Sequence, residues 1–69
     1  MKQNISINNG TSYITADELT DSQVRDILDY INGCKSEASE AAKYEAEGAE
    51  TDREYIAKYA EALGELVIG

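Results

Sequence analysis

The chain predicts an α+β fold, with an N-terminal β-hairpin packed against two or three α-helices. Three features carry that expectation. Ile5 and Ile7 alternate with polar neighbours ahead of Asn9-Gly10, Thr20 and Gln23 bracket the start of an apolar stripe, and Thr51 and Glu54 bracket the start of a second one. With 69 residues, the chain holds a single domain spanning residues 1–69.

The hairpin is expected over residues 3–15. Ile5 and Ile7 separated by Ser6 and Asn8 have the period of a strand with one buried face. Asn9 and Gly10 both tolerate positive φ, as a two-residue type I′ loop demands. Thr11–Thr15 then reads as the returning strand. A lone hairpin is marginal in water, so it must lean on the helical part, expected over residues 20–67.

The first helix is the best specified. Thr20 is its N-cap, Gln23 completes a T-x-x-Q capping box, and Leu19 and Val24 form the matching hydrophobic staple. Asp21 sits in the first turn, where it complements the helix dipole. Val24, Ile27, Leu28 and Ile31 then follow at i, i+3, i+4 and i+7 as one apolar stripe. Asn32-Gly33 offers a stop through a left-handed glycine. The pattern nevertheless continues through Cys34, Ala38, Ala41, Ala42 and Glu45, leaving open one helix over 20–47 or two that meet near Gly33. Residues 36–47 have high helix propensity but a thin apolar face, and the small residues Ala38, Ala41 and Ala42 would let a neighbour come close.

Thr51 with Glu54 opens a last helix, expected over 52–67. Tyr55, Ile56, Tyr59, Ala60, Leu63, Leu66 and Val67 mark its buried face, and Gly64 has no obvious place within it.

Charge bounds the function. Fourteen acidic residues stand against six basic ones, with no histidine, for a formal net charge of −8. Such a surface repels nucleic acid and anionic membrane and attracts basic proteins. The basic residues at positions 2, 25, 35, 43, 53 and 58 are scattered, without the concentration that phosphate binding needs. The longest apolar run, Leu66–Ile68, is far short of a membrane span, and the N-terminus lacks the apolar core of a signal peptide. The expectation is therefore a cytoplasmic chain with a reduced Cys34, in which the sequons Asn4-Ile5-Ser6 and Asn9-Gly10-Thr11 are chance matches.

The same composition argues against catalysis. Without histidine, Cys34 has no usual activating base, and a single cysteine supports neither a disulfide nor a structural zinc site. No calcium loop or phosphate loop is present, and a domain this small can hardly enclose a pocket around paired carboxylates. The chain is expected to be a non-enzyme with no cofactor and no metal.

The acid thickens between residues 37 and 54, where Glu37, Glu40, Glu45, Glu47, Glu50, Asp52 and Glu54 face only Lys43 and Arg53. Like charges three or four apart on a helix cost a few tenths of a kcal/mol each. A partner can offset that cost, because a row of carboxylates can stand in for a row of phosphates in a basic groove. The alternative is that these residues simply keep a small protein soluble. Under the docking alternative, Tyr44 is the expected anchor, since tyrosine is enriched among interface hot spots. For Tyr55 and Tyr59 a place in the core is favoured over such an anchor role.

In its short length, its hairpin around Asn9-Gly10 and its acidic segment Glu37–Glu54, the chain resembles phage-encoded inhibitors of host defence of the anti-CRISPR type. That resemblance implies a stoichiometric inhibitor of a larger basic, nucleic-acid-binding effector, acting in the host cytoplasm, with no catalytic residues. A second reading is a structural or assembly module that forms a homodimer through the apolar face of helix 52–67. A third is an accessory subunit of an enzyme.

Overall fold

The computed structural model describes residues 5–7 and 13–68. Its elements run in the order β1 (Ile5–Ile7), a 3-10 turn (Ala16–Glu18), α1 (Asp21–Gly33), α2 (Glu37–Ala46), α3 (Asp52–Leu63) and β2 (Leu66–Ile68). The class is α+β, strongly weighted to helix, since each strand is three residues long. Among the described residues, no helix is long and apolar enough to cross a membrane.

Each helix begins where a hydroxyl side chain takes up a free backbone N–H. At α1 the Gln23 N–H donates to Thr20 Oγ1 at 3.1 Å, and the Thr20 N–H donates to Gln23 Oε1 at 2.8 Å. This is the reciprocal box expected from T-x-x-Q. At α2 the Ser39 N–H donates to Ser36 Oγ at 3.2 Å. At α3 the Glu54 N–H donates to Thr51 Oγ1 at 3.1 Å, but the Glu54 carboxylate reaches one residue further back and accepts from the Glu50 N–H at 2.9 Å. The expected box at Thr51 is thus half formed, and its second bond fixes the α2–α3 loop instead.

The open question over residues 20–47 resolves into two helices. Gly33 does not end α1 by turning left-handed. Cys34 is the C-cap with extended backbone (φ −83°, ψ 123°), and the chain turns over Lys35 into the Ser36 cap. Lys43 Nζ donates to the Cys34 carbonyl at 2.7 Å and closes this corner.

The last helix is shorter than the sequence suggested. It stops at Leu63, with Gly64 as its C-cap at φ +94°, a conformation that costs glycine little and other residues more. Leu66 and Val67 therefore belong to β2, not to the apolar face of a helix over 52–67. β2 pairs with β1 in parallel, in the register Ile5↔Leu66, Ser6↔Val67 and Ile7↔Ile68. The whole helical region is the crossover between them.

Of the hairpin expected over 3–15, the described residues hold one bridge. Ile14 forms a single antiparallel bridge with Ile5, donating its N–H to the Ile5 carbonyl at 3.0 Å, and no returning strand extends over residues 13–15. The Asn9-Gly10 turn lies outside the described residues. The ladder among the described residues is the parallel one, in which the C-terminal Leu-Val-Ile segment pairs with Ile5–Ile7.

The core is where these elements meet. Ile5 and Leu66 are buried side by side on the sheet, facing Val24, Ile27 and Ile31 of α1 and Ile56, Tyr59 and Ala60 of α3 in one cluster. α2 packs chiefly on α3. Ala42 and Ala46, one turn apart, are its buried alanines, whereas Ala38 and Ala41 face solvent. The close approach therefore uses Ala42, as expected, together with Ala46.

Candidate functional site

Because Ser39, Ala42 and Ala46 turn one side of α2 toward the core, the opposite side is presented to solvent. Glu37, Glu40, Tyr44 and Glu47 lie there at i, i+3, i+7 and i+10, and all four are exposed. Tyr44 is 77% exposed, the most open of the large hydrophobic side chains among the described residues. Glu40, Tyr44 and Glu47 line a shallow groove of about 310 Å³ together with Lys43 and the half-buried Tyr55 of α3.

Tyr55 is also the wall of a second depression of about 340 Å³, shared with Glu50, Asp52 and the α1 residues Leu28 and Asn32. Leu28 and Asp52 in turn border a third, of about 760 Å³, which reaches Asp21, Arg25 and Asp29. One band of surface thus runs from the outer side of α2, over Tyr55, across the α2–α3 loop and along α1. Five expected site residues, Glu40, Tyr44, Glu47, Glu50 and Asp52, lie on it.

The remaining three are placed differently. Glu37 is exposed at the start of α2, in line with Glu40 and Tyr44 but lining neither groove. Glu45 turns to another side of α2 and shares a separate depression with Lys58 and Glu61. Glu54 has structural work, holding the Glu50 N–H and pairing with Lys58 at 3.7 Å. The expected row of carboxylates is therefore not a single row, because the α2–α3 turn and the helical rotation at Glu45 divide it.

Most of these acids have no cation of their own. Among the described residues, Glu40 pairs with Lys43 at 3.5 Å and Asp21 with Arg53 at 3.2 Å, whereas no ion pair engages Glu37, Glu47, Glu50 or Asp52. Lys43 and Arg53 are themselves partly committed to backbone carbonyls, those of Cys34 and Leu19. The band carries Asp21, Asp29, Glu40, Glu47, Glu50 and Asp52 against Arg25, Lys43 and Arg53, so its field is negative but partly neutralised from within. Nor is a metal an evident remedy, since no cluster of three or more Asp, Glu or Cys is placed to hold one among the described residues.

Sequence reasoning did not place Leu28, Asp29 and Asn32 on this surface, and it favoured the core over an anchor role for Tyr55. No local signal marks them, since they join the acidic segment only when α1 packs beside the loop before α3. The apolar face proposed for self-association is largely consumed within the chain: Ile56, Tyr59, Ala60 and Leu66 are all buried there. Cys34 is half-buried at the α1–α2 corner beside Tyr30, whose phenol it holds above its ordinary pKa by hydrogen bonding.

The chain matches no protein-family model, no curated protein and no solved structure.

Proposed function

We propose that this protein is a non-catalytic binding protein that docks on a larger basic protein, of the kind that binds nucleic acid, and inhibits it by occupying its basic surface. The observation that carries this reading is Tyr44, an aromatic side chain 77% exposed on the outer side of α2 with Glu40 and Glu47 beside it in one groove. Exposing a large aromatic ring to water forfeits burial, and such rings are common anchors at interface centres. Carboxylates around it steer a cationic partner and exclude an anionic one.

The net charge of −8 supports the same direction, since both nucleic acid and anionic lipid would be repelled. The reading places the protein in the cytoplasm, where Cys34 stays reduced. Glu37, Glu50 and Asp52 extend the docking surface, and Glu45 and Glu54 contribute only through the long-range field.

The test uses the whole chain as bait in host lysate. Wild type is expected to capture a basic protein that elutes as salt is raised, because screening removes the steering charge. Tyr44→Ala combined with Glu40→Lys and Glu47→Lys is expected to lose that protein while remaining folded. Purified, the captured protein is expected to lose nucleic-acid binding in proportion to added wild-type chain. Unchanged capture by the triple variant would remove the basis of this reading.

A further inference from the structure

Resting on the reading of this chain as an acidic protein binder, we propose that the groove between α1 and the α2–α3 loop receives a basic amphipathic segment of the partner. The groove spans two adjoining depressions that share Leu28 and Asp52, one lined also by Asp29, Arg25 and Arg53 and the other by Glu50 and Tyr55, with Leu28 and Tyr55 both half-buried. The site lies beside the outer side of α2 and is continuous with it through Tyr55.

Three observations choose the occupant. First, the lining combines the apolar Leu28 and Tyr55 with the carboxylates Asp29, Glu50 and Asp52, so a segment that presents an apolar side chain between lysines or arginines satisfies both at once. A purely hydrophilic polycation leaves Leu28 and Tyr55 uncovered. Second, no ion pair engages Asp29, Glu50 or Asp52 among the described residues, so their charge is available to a ligand. A second copy of this chain would bring the same carboxylates against them and is disfavoured. Third, the walls are fixed before binding. Arg53 Nη2 donates to the Leu19 carbonyl at 2.8 Å and to Asp21 Oδ1 at 3.2 Å, tying the start of α3 to the segment leading into α1. The Glu54 carboxylate holds the Glu50 N–H at 2.9 Å on the loop side. A preformed groove spares the ordering cost that a mobile one would incur.

The groove also has a direction. Two cations line the depression that Asp21 borders: Arg53, which is paired with Asp21, and Arg25, which has no ion-pair partner among the described residues. Arg25 repels a cationic occupant there, so the basic residues of the segment are concentrated toward Asp29, Asp52 and Glu50.

The test is a titration of the isotope-labelled chain at low salt with two probes, a synthetic amphipathic peptide of lysine and leucine and an oligolysine of equal charge. The amphipathic peptide is expected to bind on the order of tenfold tighter, since it alone covers the apolar Leu28 and Tyr55. The largest amide shifts are expected at Leu28, Asn32 and Tyr55. Asp29→Lys is expected to weaken the peptide on the order of tenfold, and Arg25→Glu to tighten it about threefold. Asp26→Lys makes the same change of net charge on exposed α1 surface outside the groove and is expected to have a clearly smaller effect. Equal losses in the Asp26 and Asp29 variants would overturn the groove. Loss on Tyr44→Ala with no effect of Asp29→Lys would overturn it too, while leaving the function proposed above intact. Equal affinity for the two probes, with shifts spread as far as Glu61 and Glu65, would sink both.

Discussion

The side-chain oxygens of Ser39 and Tyr59 lie 2.7 Å apart, and both residues are buried. This bond joins α2 to α3 inside their shared interface. A buried phenol without a partner would incur a desolvation cost of roughly 1–3 kcal/mol. Ser39, on a helix face otherwise made of alanine, removes it.

Ser39→Ala is therefore expected to destabilise the fold by about 1–2 kcal/mol, by leaving the Tyr59 hydroxyl buried and unpaired. Tyr59→Phe is expected to cost about 1 kcal/mol, since Ser39 Oγ retains only the Cys34 carbonyl at 3.5 Å. The double variant is expected to lose less than the sum of the two, because neither orphan then remains. Urea unfolding of the four proteins checks this, and strict additivity would contradict it.

The two glycines at helix ends are expected to respond in opposite senses to alanine. Gly64 has φ +94°, so Gly64→Ala is expected to cost about 1 kcal/mol from backbone strain, although its Cβ would meet nothing within 4 Å. Gly33 is the last residue of α1, without positive φ and with open space for a Cβ, so Gly33→Ala is expected to stabilise by about 0.5–1 kcal/mol. For a domain this size each change shifts the melting temperature by roughly 4–8 °C per kcal/mol. Shifts of the same sign would refute the assignment of the two caps.

Stability at high pH is expected to depend on Tyr13. Its hydroxyl donates to Glu65 Oε1 at 2.9 Å, and this bond, aided by the carboxylate charge, holds the phenol above its ordinary pKa. The folded chain thus keeps that proton more tightly than the unfolded chain does. The resulting stabilisation is complete below the ordinary tyrosine value of about 10 and is lost as pH rises through the raised value. Glu65→Gln is expected to move ionisation of Tyr13 back toward the ordinary range. Phenolate absorbance compared with and without Tyr13→Phe reads this directly, and an unaltered Tyr13 titration would rule it out.

Local chemistry made much of the helical part legible. The Thr20–Gln23 box, the Leu19–Val24 staple and the stripe Val24, Ile27 and Ile31 all act within a few residues, so they specify α1 before any tertiary contact forms. The end of α3 was less legible. Leu63, Leu66 and Val67 continue a helical spacing as well as they begin a strand, and only Gly64 hints at the break.

The sequence by itself determined the capped helix starts at Thr20 and Thr51, a charge of −8 and the placing of Glu37, Glu40 and Tyr44 outside the core, because capping, propensity and net charge are local or additive properties, whereas the break between α1 and α2 was left to the tertiary structure. Tertiary structure alone decided that Leu66–Ile68 pairs in parallel with Ile5–Ile7, since strand hydrogen bonds need a partner from the other end of the chain. It alone also divided the acidic residues, carrying Glu50 and Asp52 to α1 and Glu45 to Lys58 and Glu61. The physical reason is the same in both cases: linear spacing fixes the direction of a side chain about its own helix axis, and only packing fixes what stands opposite.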